Sequence, residues 1–553
     1  MMFIRQLSIC LTLLFSPFVA SDELQQAAIA SAHPLATQAG LEILQQGGNA
    51  FDAAVAVSAA LAVVEPAGSG LGGGGFWLLH RAEDGFQTMV DGRETAPAAA
   101  HRDMYLDDNG KVDKQLSLDG ALAAGIPGVP AALDHLSQHY GRLPLTQTLA
   151  PAIRYAQQGF SVTKHYQQLA QFRLTTLNQS AEARATFLTK GQVPELGSKI
   201  IQHNLAATLQ QLAQHGRAGF YQGEVADKLI NSVQQAGGIW TQQDLRNYQV
   251  KERTPITGSY QGYKVTSVAP PSSGGIVLLS MLNQLEQLDY QHADIHQQRH
   301  LLTEVMRRAY FDRSRYMGDT DFVSVPVQKL SSKTYAKTLV ATIDSQLASS
   351  SKQLAAAPSK GEDTTHFSII DNQGNRVSAT LSINYPFGSA FVAEGTGVLL
   401  NDEMDDFSAQ IGAANVYGLV GNEANAIEAN KRPLSSMSPT FIENDKQLMV
   451  IGTPGGSRII TMVLLGILDF INGEDADTIV SKPRFHHQYL PDVIQVETPG
   501  FEAAELTALE QRGHNIKPLN RRYGNMQIII HDKHSNTVTA ASDPRGEGMA
   551  QVH

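Results

Sequence analysis

One stretch, residues 363–388, constrains the fold of this chain more than any other. It contains two runs typical of β-strands, residues 367–370 and 377–383, and the residues between them, 371–374, are those of a tight turn. The pattern therefore predicts a β-hairpin. A pair of threonines, the first of them Thr364, stands at the start of its first strand.

Thr364 would be a nucleophile if the peptide bond before it were cut. Cleavage frees an α-amino group on the same residue, with a reference pKa of about 7.7–8.0, and this amine can take the proton of the hydroxyl. Two threonines at a strand start are more often explained by β-propensity alone. The hypothesis therefore depends on what surrounds them.

The residues just before Thr364 have the composition of a linker. Three serines at 349–351 are followed by residues 355–362, which are rich in alanine and include a proline and a glycine. Such segments are typically exposed and open to cleavage. A self-cleaving precursor would need such a linker in front of a strand-initial threonine, and a cut between Asp363 and Thr364 would leave 364–553 as the C-terminal piece.

Residues 1–21 have the pattern of a secretory signal peptide. A short basic start leads into an apolar run at 7–15, too short to span a bilayer, and small residues follow up to Ala20 and Ser21. Removal of this segment also removes Cys10, the only cysteine, so the mature chain would have no disulfide and no thiolate. A lipid on that cysteine is a minor alternative. We expect export to the periplasm or secretion.

The composition limits the class of protein. The chain has 553 residues, of which 42% are hydrophobic and 17% charged, as in an ordinary soluble globular protein. Its formal net charge is -11, and no basic block stands out. A protein that binds the phosphates of a nucleic acid needs a basic face, so we expect no nucleic-acid partner.

The N-terminal third predicts a buried helix followed by a glycine-rich loop. Residues 24–64 are alanine-rich with a helical pattern, and 53–64 are apolar on every side, which predicts a fully buried helix. The loop at 68–75 contains G-x-G-x-x-G, but a helix precedes it and a strand, 76–80, follows it. A dinucleotide site needs the reverse order, so we expect these glycines to let backbones pass closely.

Most of the charged residues along the chain can be explained as surface or salt-bridged residues without a functional role. Arg93, after a strand at 87–91, could grip a carboxylate through two hydrogen bonds, but its local context favours a solvated surface arginine. Residues 120–340 are mostly helical, and we expect the charges at 307–313 to form salt-bridged helix faces. The acidic cluster at 402–406 predicts a pocket that accepts a cation.

Other candidate sites were weighed in the C-terminal piece. Gly455 and Gly456 stand at the start of a helix, where bare backbone N–H groups can hold an oxyanion. Adjacent histidines, His486 and His487, would point to opposite faces of a strand and have no third ligand at useful spacing. The acidic cluster lacks the spacing of a calcium loop. We therefore expect no metal.

Five blocks of sequence, in the right order, resemble the γ-glutamyltransferase (γ-glutamyltranspeptidase) family of N-terminal nucleophile hydrolases. The resemblance extends from about residue 25 to the C-terminus. The blocks that carry it are residues 91–94 (DGRE), 364–368 (TTHFS), 401–407 (NDEMDDF), 433–439 (PLSSMSP) and 454–457 (PGGS).

The resemblance implies a four-layer αββα sandwich, of the α/β (α+β) class, made as a self-cleaving precursor. The large subunit, 22–363, would be helix-rich and supply part of the central sheets. The small subunit, 364–553, would begin with the nucleophile, and the two would stay together as a heterodimer. No cofactor is implied.

The resemblance also assigns roles to residues. Thr364 would be both the processing and the catalytic nucleophile, and Ser382, where the family more often has threonine, would hydrogen-bond it. The remaining residues bind the substrate or its transition state: Gly455 and Gly456 for the oxyanion, Arg93, Ser435 and Ser436 for the α-carboxylate, Asn384, Glu403 and Asp406 for the α-ammonium, and Tyr417 as a lid.

The activity implied is cleavage of a γ-glutamyl amide, such as that of glutathione, through a γ-glutamyl ester on Thr364. Water, an amino acid or a peptide would then accept the γ-glutamyl group. Since position 403 varies between acid and amide in the family, the balance of transfer and hydrolysis stays open. Alternatives are a glutaryl or cephalosporin acylase, a poly-γ-glutamate hydrolase, and an uncut periplasmic protein that binds γ-glutamyl peptides.

Overall fold

Two stacked antiparallel sheets form the centre of the molecule, in a computed structural model of the chain. The structure describes residues 24, 26–351, 364–410, 412, 415–419 and 421–553. The predicted signal peptide, most of the predicted linker and Asp363 lie outside these residues.

The strands, in chain order, are β1 (Ala28–Ser31), β2 (Gly74–His80), β3 (Gln87–Asp91), β4 (Phe160–Ser161), β5 (Lys199–Ile200), β6 (Lys251–Arg253), β7 (Ile256–Tyr260), β8 (Tyr263–Ser267), β9 (Thr365–Ile370), β10 (Arg376–Ser382), β11 (Val392–Ala393), β12 (Val398–Leu399), β13 (Thr440–Glu443), β14 (Gln447–Gly452), β15 (Phe485–His486), β16 (Ile494–Glu497), β17 (Ile516–Leu519), β18 (Gln527–Asp532), β19 (Thr537–Ser542) and β20 (Met549–Val552).

The helices are α1 (Pro34–Gln45), α2 (Ala50–Val64), α3 (Lys114–Leu118), α4 (Val129–His139), α5 (Leu145–Thr148), α6 (Ala150–Gln158), α7 (Lys164–Phe172), α8 (Leu174–Leu177), α9 (Ala181–Phe187), α10 (His203–His215), α11 (Ala218–Tyr221), α12 (Gly223–Gln235), α13 (Gln242–Asn247), α14 (Gly274–Glu286), α15 (Ile295–Tyr316), α16 (Val327–Leu330), α17 (Lys333–Val340), α18 (Ile459–Ile471), α19 (Ala476–Ser481) and α20 (Ala503–Gln511).

The predicted hairpin, β9 and β10, lies in the middle of the first sheet. The strand order is β20-β1-β9-β10-β2-β3-β6, and Thr365 at the start of β9 pairs with Leu381 near the end of β10. The turn is held by the carboxylate of Asp371, which accepts from the N–H groups of Gln373, Asn375 and Ala50. The hairpin prediction is confirmed.

Side chains of the first sheet alternate between two cores. In β2, Trp77 and Leu79 pack with the buried helix α2 in one core, while Phe76 and Leu78 pack against the second sheet in the other. Every residue of α2 is buried, and a capping box between Asn49 and Asp52 begins the helix. The buried-helix prediction is confirmed, with the helix starting three residues before the predicted run.

The second sheet has the order β19-β18-β14-β13-β8-β7. One face packs on the first sheet, and α14, α18 and α19 cover the other face. The order of layers is therefore helix, sheet, sheet, helix, which is the predicted αββα sandwich. Within the described part of the chain, no helix combines the length and apolar character needed to cross a bilayer.

One sequence expectation about local structure was wrong, and a second, the mostly helical region 120–340, was confirmed but incomplete. Part of the helical pattern at 24–64 is strand β1, which pairs with β9 on one side and β20 on the other. The mostly helical region 120–340 also contributes β6 to the first sheet and β7 and β8 to the second. β1, β6 and β8 each pair with a strand that is distant in the sequence, and this pairing outweighs local propensity.

The glycine-rich loop brings three backbone segments together, as predicted. A Cβ atom on Gly72 would lie 2.0 Å from the carbonyl oxygen of Leu399, and one on Gly73 would lie 2.2 Å from that of Ser382. Since real Cβ atoms do not approach so closely, only glycine fits. The loop thus packs directly against the end of β10, where Ser382 lies.

Replacing Gly72 with alanine is expected to destabilise the protein by about 1–3 kcal/mol, because a backbone carbonyl cannot move aside as a side chain can. Gly70→Ala is the matched control in the same loop, since its Cβ would meet nothing closer than 3.6 Å. That change should be neutral or stabilising by about 0.4–1 kcal/mol. Urea unfolding at one protein concentration measures both, and equal midpoints would contradict the packing argument.

Candidate active site

The hydroxyl groups of Thr364 and Ser382 lie side by side. Because β9 and β10 are antiparallel, the residue before β9 faces the last residue of β10, and the two hydroxyl oxygens are 3.5 Å apart. Ser382 Oγ also accepts a hydrogen bond from the N–H of Asn384 at 2.8 Å. Thr364 is only 6% exposed, so its hydroxyl faces a buried space.

That space is a small cavity that most of the predicted site residues line. It is also lined by Leu419, Met437, Ser457 and Ile459, to which the sequence assigned no role. The predicted residues that line it are Arg93, Thr364, Ser382, Asn384, Glu403, Asp406, Tyr417, Ser435, Ser436 and Gly456.

Arg93 is the buried cation of this cavity. It follows β3, is 1% exposed, and lies 2.7 Å (Nη1) from Glu403 Oε2 and 2.6 Å (Nη2) from Asp406 Oδ2. Its Nε donates to the carbonyl of Pro433 at 3.3 Å. The solvated surface arginine favoured by the local sequence is therefore wrong, since the chain after Asp91 turns inward between the acidic cluster and the loop before β13.

The acidic cluster divides into two groups. Glu403 and Asp406 face Arg93 from the two ends of the short 3-10 helix Glu403–Asp406. Arg93 is therefore the cation that the predicted acidic pocket binds in this structure. Asp405 points away and accepts from Ser117 Oγ and the N–H of Val416, both at 2.8 Å. Only the first group belongs to the cavity.

Burial controls the protonation of these acids. Burial raises the pKa of Glu403 to about 8; the Arg93 guanidinium opposes this rise, and the Asp406 carboxylate adds to it. Burial also raises the pKa of Glu94 well above its usual value. Among the described residues, neither carboxylate oxygen of Glu94 has a hydrogen-bond partner, and Arg93 Nη1 lies 3.8 Å away. The cavity thus holds more acid groups than cations.

Asn384 presents a hydrogen-bond acceptor to the cavity. It has a left-handed backbone conformation, φ +75°, directly after β10. Its Nδ2 donates to the carbonyl of Asp402 at 2.9 Å. Since the amide's donor side is used there, Oδ1 is left to accept from a ligand.

Tyr417 covers the cavity. Its hydroxyl donates to the carbonyl of Asn384 at 2.6 Å, and its ring packs on Gly456, where a Cβ atom would lie 2.4 Å from the ring. Gly455 and Gly456 have φ of +137° and +56°, in the region that favours glycine. They connect β14 to α18, the helix that the sequence predicted after them; Gly455 itself does not line the cavity.

The two adjacent histidines are tied to protein groups. His486 contacts Thr461 Oγ1 and Gln488 Oε1, both at 2.8 Å, while His487 Nε2 lies 3.2 Å from Asp492 Oδ1. Burial lowers the pKa of each imidazole. In the part of the chain that the structure describes, no group of three or more potential ligands could hold a metal ion.

Comparison with known proteins decides the family. The sequence model of the γ-glutamyltranspeptidase family matches residues 36–553. This chain belongs to that family. It is an enzyme with the fold of the N-terminal nucleophile hydrolases.

Individual relatives agree with this family. The chain is 43% identical over 532 residues to a glutathione hydrolase proenzyme of Escherichia coli (strain K12), covering 94% of this chain and 90% of that one. A crystal structure of a Bacillus halodurans cephalosporin acylase is similar over 98% of this chain and 99% of its own, with TM-score 0.84 and 29% identity. A Helicobacter pylori γ-glutamyltranspeptidase chain is 41% identical with TM-score 0.57, covering 61% of this chain and 97% of its own.

Removing the cation of the cavity should destabilise this γ-glutamyltranspeptidase. Arg93→Met leaves Glu403 and Asp406 buried without a counter-ion, which we expect to cost about 3–5 kcal/mol. The cost should be larger at pH 9 than at pH 5, because burial raises the pKa of Glu403 to about 8, so this acid is protonated at the lower pH and needs a counter-ion only as the pH rises. Urea unfolding at the two pH values measures this.

The matched control is Arg102→Met. Arg102 pairs with Glu423 at 2.6 Å, but both side chains are largely exposed, so little change is expected at either pH. Equal losses for the two variants would show that the Arg93 pairs are as solvated as a surface pair.

Proposed function

We propose that this protein cleaves the γ-glutamyl amide of glutathione and related γ-glutamyl compounds, and passes the γ-glutamyl group to water, an amino acid or a peptide. The observation that carries the proposal is the cavity itself, where a strand-initial hydroxyl, a buried guanidinium and two buried carboxylates meet. A glutamyl head group has one carboxylate and one ammonium, and this cavity has partners for both.

The chemistry begins with cleavage of the bond before Thr364, which frees its α-amine. The Thr364 hydroxyl oxygen attacks the γ-carbonyl carbon of the donor while the amine takes the hydroxyl proton. N–H groups of Gly455 and Gly456 stabilise the oxyanion of the tetrahedral intermediate. The C–N bond then breaks, the leaving amine takes the proton, and a γ-glutamyl ester remains on Thr364.

The second half of the reaction reverses these proton transfers. Water or the amine of an acceptor attacks the ester carbon, and the α-amine of Thr364 takes its proton. The ester bond breaks, and the proton returns to the Thr364 oxygen. Ser382 supports both halves, because its hydroxyl is the neighbour of the nucleophile at 3.5 Å.

Donor recognition is an exchange of ion pairs. In the empty cavity Arg93 is paired with Glu403 and Asp406. The donor's α-carboxylate pairs with Arg93 and accepts hydrogen bonds from the hydroxyls of Ser435 and Ser436. Its α-ammonium pairs with the two acids and donates to Asn384 Oδ1. All of these residues line the cavity. Every buried charge keeps a partner of opposite sign, which a buried charge requires.

An acylase for glutaryl or cephalosporin side chains is the second candidate, since a cephalosporin acylase has a similar structure over nearly the whole chain. A glutaryl group lacks the α-ammonium, so it would take Arg93 and leave Glu403 and Asp406 buried without a cation. This cost favours γ-glutamyl donors. Turnover of γ-glutamyl and glutaryl 4-nitroanilides compares the two, and a preference for the glutaryl compound would reverse the choice.

The two proposed subunits cannot separate without breaking the first sheet. Strands β9 and β10, from 364–553, are hydrogen-bonded between β1 and β2, from 22–363. A heterodimer that forms from one precursor and stays together follows from this order. The Helicobacter pylori chain covers 61% of this chain, which is close to the fraction of the chain that the proposed large subunit, 22–363, makes up. We also propose that the enzyme is exported to the periplasm or secreted.

Thr364→Ala should leave the precursor uncut and reduce turnover by on the order of 10³-fold or more, because both steps need its hydroxyl. Thr364→Ser, which keeps a hydroxyl, is the control and should still be processed. A denaturing gel and N-terminal sequencing of the smaller band measure processing. The native protein should show two bands with the smaller one starting at Thr364; a single full-length band with full activity would refute the mechanism.

Binding of the donor head group should depend on pH through Glu403. Since its pKa is about 8 in the empty cavity, binding an ammonium below pH 8 must release its proton. Affinity should therefore rise with pH by up to about tenfold per unit and become level above pH 8.

The inhibition constant of L-glutamate between pH 6 and 9 measures this dependence. Glu403→Gln is the control, because it keeps every other titrating group, including the Thr364 amine, while removing this one. The native enzyme should gain affinity relative to the variant as the pH rises toward 8. Parallel profiles would show that Glu403 is already ionised.

A further inference from the structure

Arg313 is a buried cation behind the α-carboxylate end of the cavity. It lies on α15 and is 4% exposed. Its Nη2 donates to Ser436 Oγ at 3.1 Å, and its Nε donates to Ser273 Oγ at 2.9 Å. The prediction of salt-bridged helix faces at 307–313 fails here, because this side chain points into the protein and not along a surface.

Arg313 differs from its neighbours on the same helix in having no acidic partner. Arg307 and Arg308 pair with Glu304, at 3.2 Å and 2.6 Å. Of the residues that the structure describes, none places a carboxylate within 4.0 Å of the Arg313 guanidinium. Burial lowers its pKa, and Asp406 opposes this only through space. The Arg313 guanidinium therefore has no carboxylate in direct contact, and a bound anion could supply one.

The hydrogen bonds of Arg313 set the direction of two hydroxyl groups. Ser436 Oγ accepts from Arg313, so its own hydrogen is free to donate into the cavity. Ser273 Oγ accepts from Arg313 and donates to the carbonyl of Ser435 at 2.7 Å. The hydroxyl of Ser435 accepts from the N–H of Met437 at 3.1 Å, which leaves its hydrogen free too. Both serines therefore present donors, as a carboxylate requires.

We propose that Arg313 is a positioning residue for the α-carboxylate of the donor, acting through Ser436. This inference rests on the proposed function. The donor's carboxylate supplies the missing negative charge near a second buried guanidinium, in addition to Arg93. A donor without that carboxylate leaves Arg313 uncompensated, so Arg313 selects donors by charge at this position.

The test compares two donors that differ only at the α-position. One is γ-glutamyl 4-nitroanilide, and the other has a carboxamide in place of the α-carboxylate. Arg313→Gln keeps hydrogen-bonding amide hydrogens but removes the charge. We expect it to raise KM for the first donor by about tenfold or more, as for a lost charge-assisted contact, with kcat within about twofold and kcat/KM for the carboxamide unchanged.

The outcome separates positioning from structural support. Equal losses on both donors would overturn the proposal, because a structural role does not distinguish them. Arg308→Gln is the matched control: it is also a buried arginine of α15 and should leave the ratio of the two donors unchanged. If Arg313→Gln fails to mature, Arg313→Lys decides, since lysine keeps the charge but cannot hold Ser436 and Ser273 with a two-pronged guanidinium. A drop in the ratio of the two donors relative to the native enzyme supports the proposal, and no drop overturns it.

Failure of the proposed function would be seen first in the native enzyme. If the native enzyme does not turn over the γ-glutamyl anilide, or prefers the carboxamide, the proposed donor is wrong whatever Arg313 does. A native preference for the carboxylate that Arg313→Gln leaves intact would instead refute only the role of Arg313.

Discussion

The structure depends on one constraint: the hydroxyl of Thr364, the proposed nucleophile, must be held at the start of a strand that cannot move. β9 meets this requirement because it is hydrogen-bonded to β1 and β10 and is covered on both faces by core side chains. The glycine-rich loop then packs against the end of β10, which places Ser382 beside Thr364. The positions of the two hydroxyl groups are therefore set by the sheet and by the loop packed against it, and rigid elements of this kind hold a site more precisely than a mobile loop.

Ion pairs between buried side chains determine which ligands the cavity can hold. The cavity contains Arg93, Glu403 and Asp406 in direct contact, and their burial makes each pair sensitive to the loss of a partner. A zwitterionic ligand can enter without leaving a charge unpaired, while a ligand with a single charge cannot. Selection by charge balance follows from the same contacts that hold the empty cavity together.

Much of the fold could be predicted from sequence, because its central elements have local patterns. The hairpin has alternating strands around a turn, and α2 is apolar on every side over a helical length. β1 was missed because four residues, Ala28–Ser31, are too short for a period and their partners are 367–370 and 549–552. The burial of Arg93 was also invisible locally, since Asp406 is 313 residues away. The proposed role of Arg313 could not be predicted for the same reason, since Ser436 is 123 residues from it in the sequence.

The interleaved strands, together with the proposed cleavage before Thr364, have a consequence for the stability of the mature enzyme. Before cleavage, one chain can bring β9 between β1 and β2 by itself. After cleavage, the same sheet can reform only when two separate polypeptides meet, so recovery from denaturation becomes a bimolecular reaction that slows on dilution. After cleavage, the lifetime of the native state is therefore set by the activation barrier to unfolding. Such a protein stays folded because it unfolds slowly, not because it refolds readily.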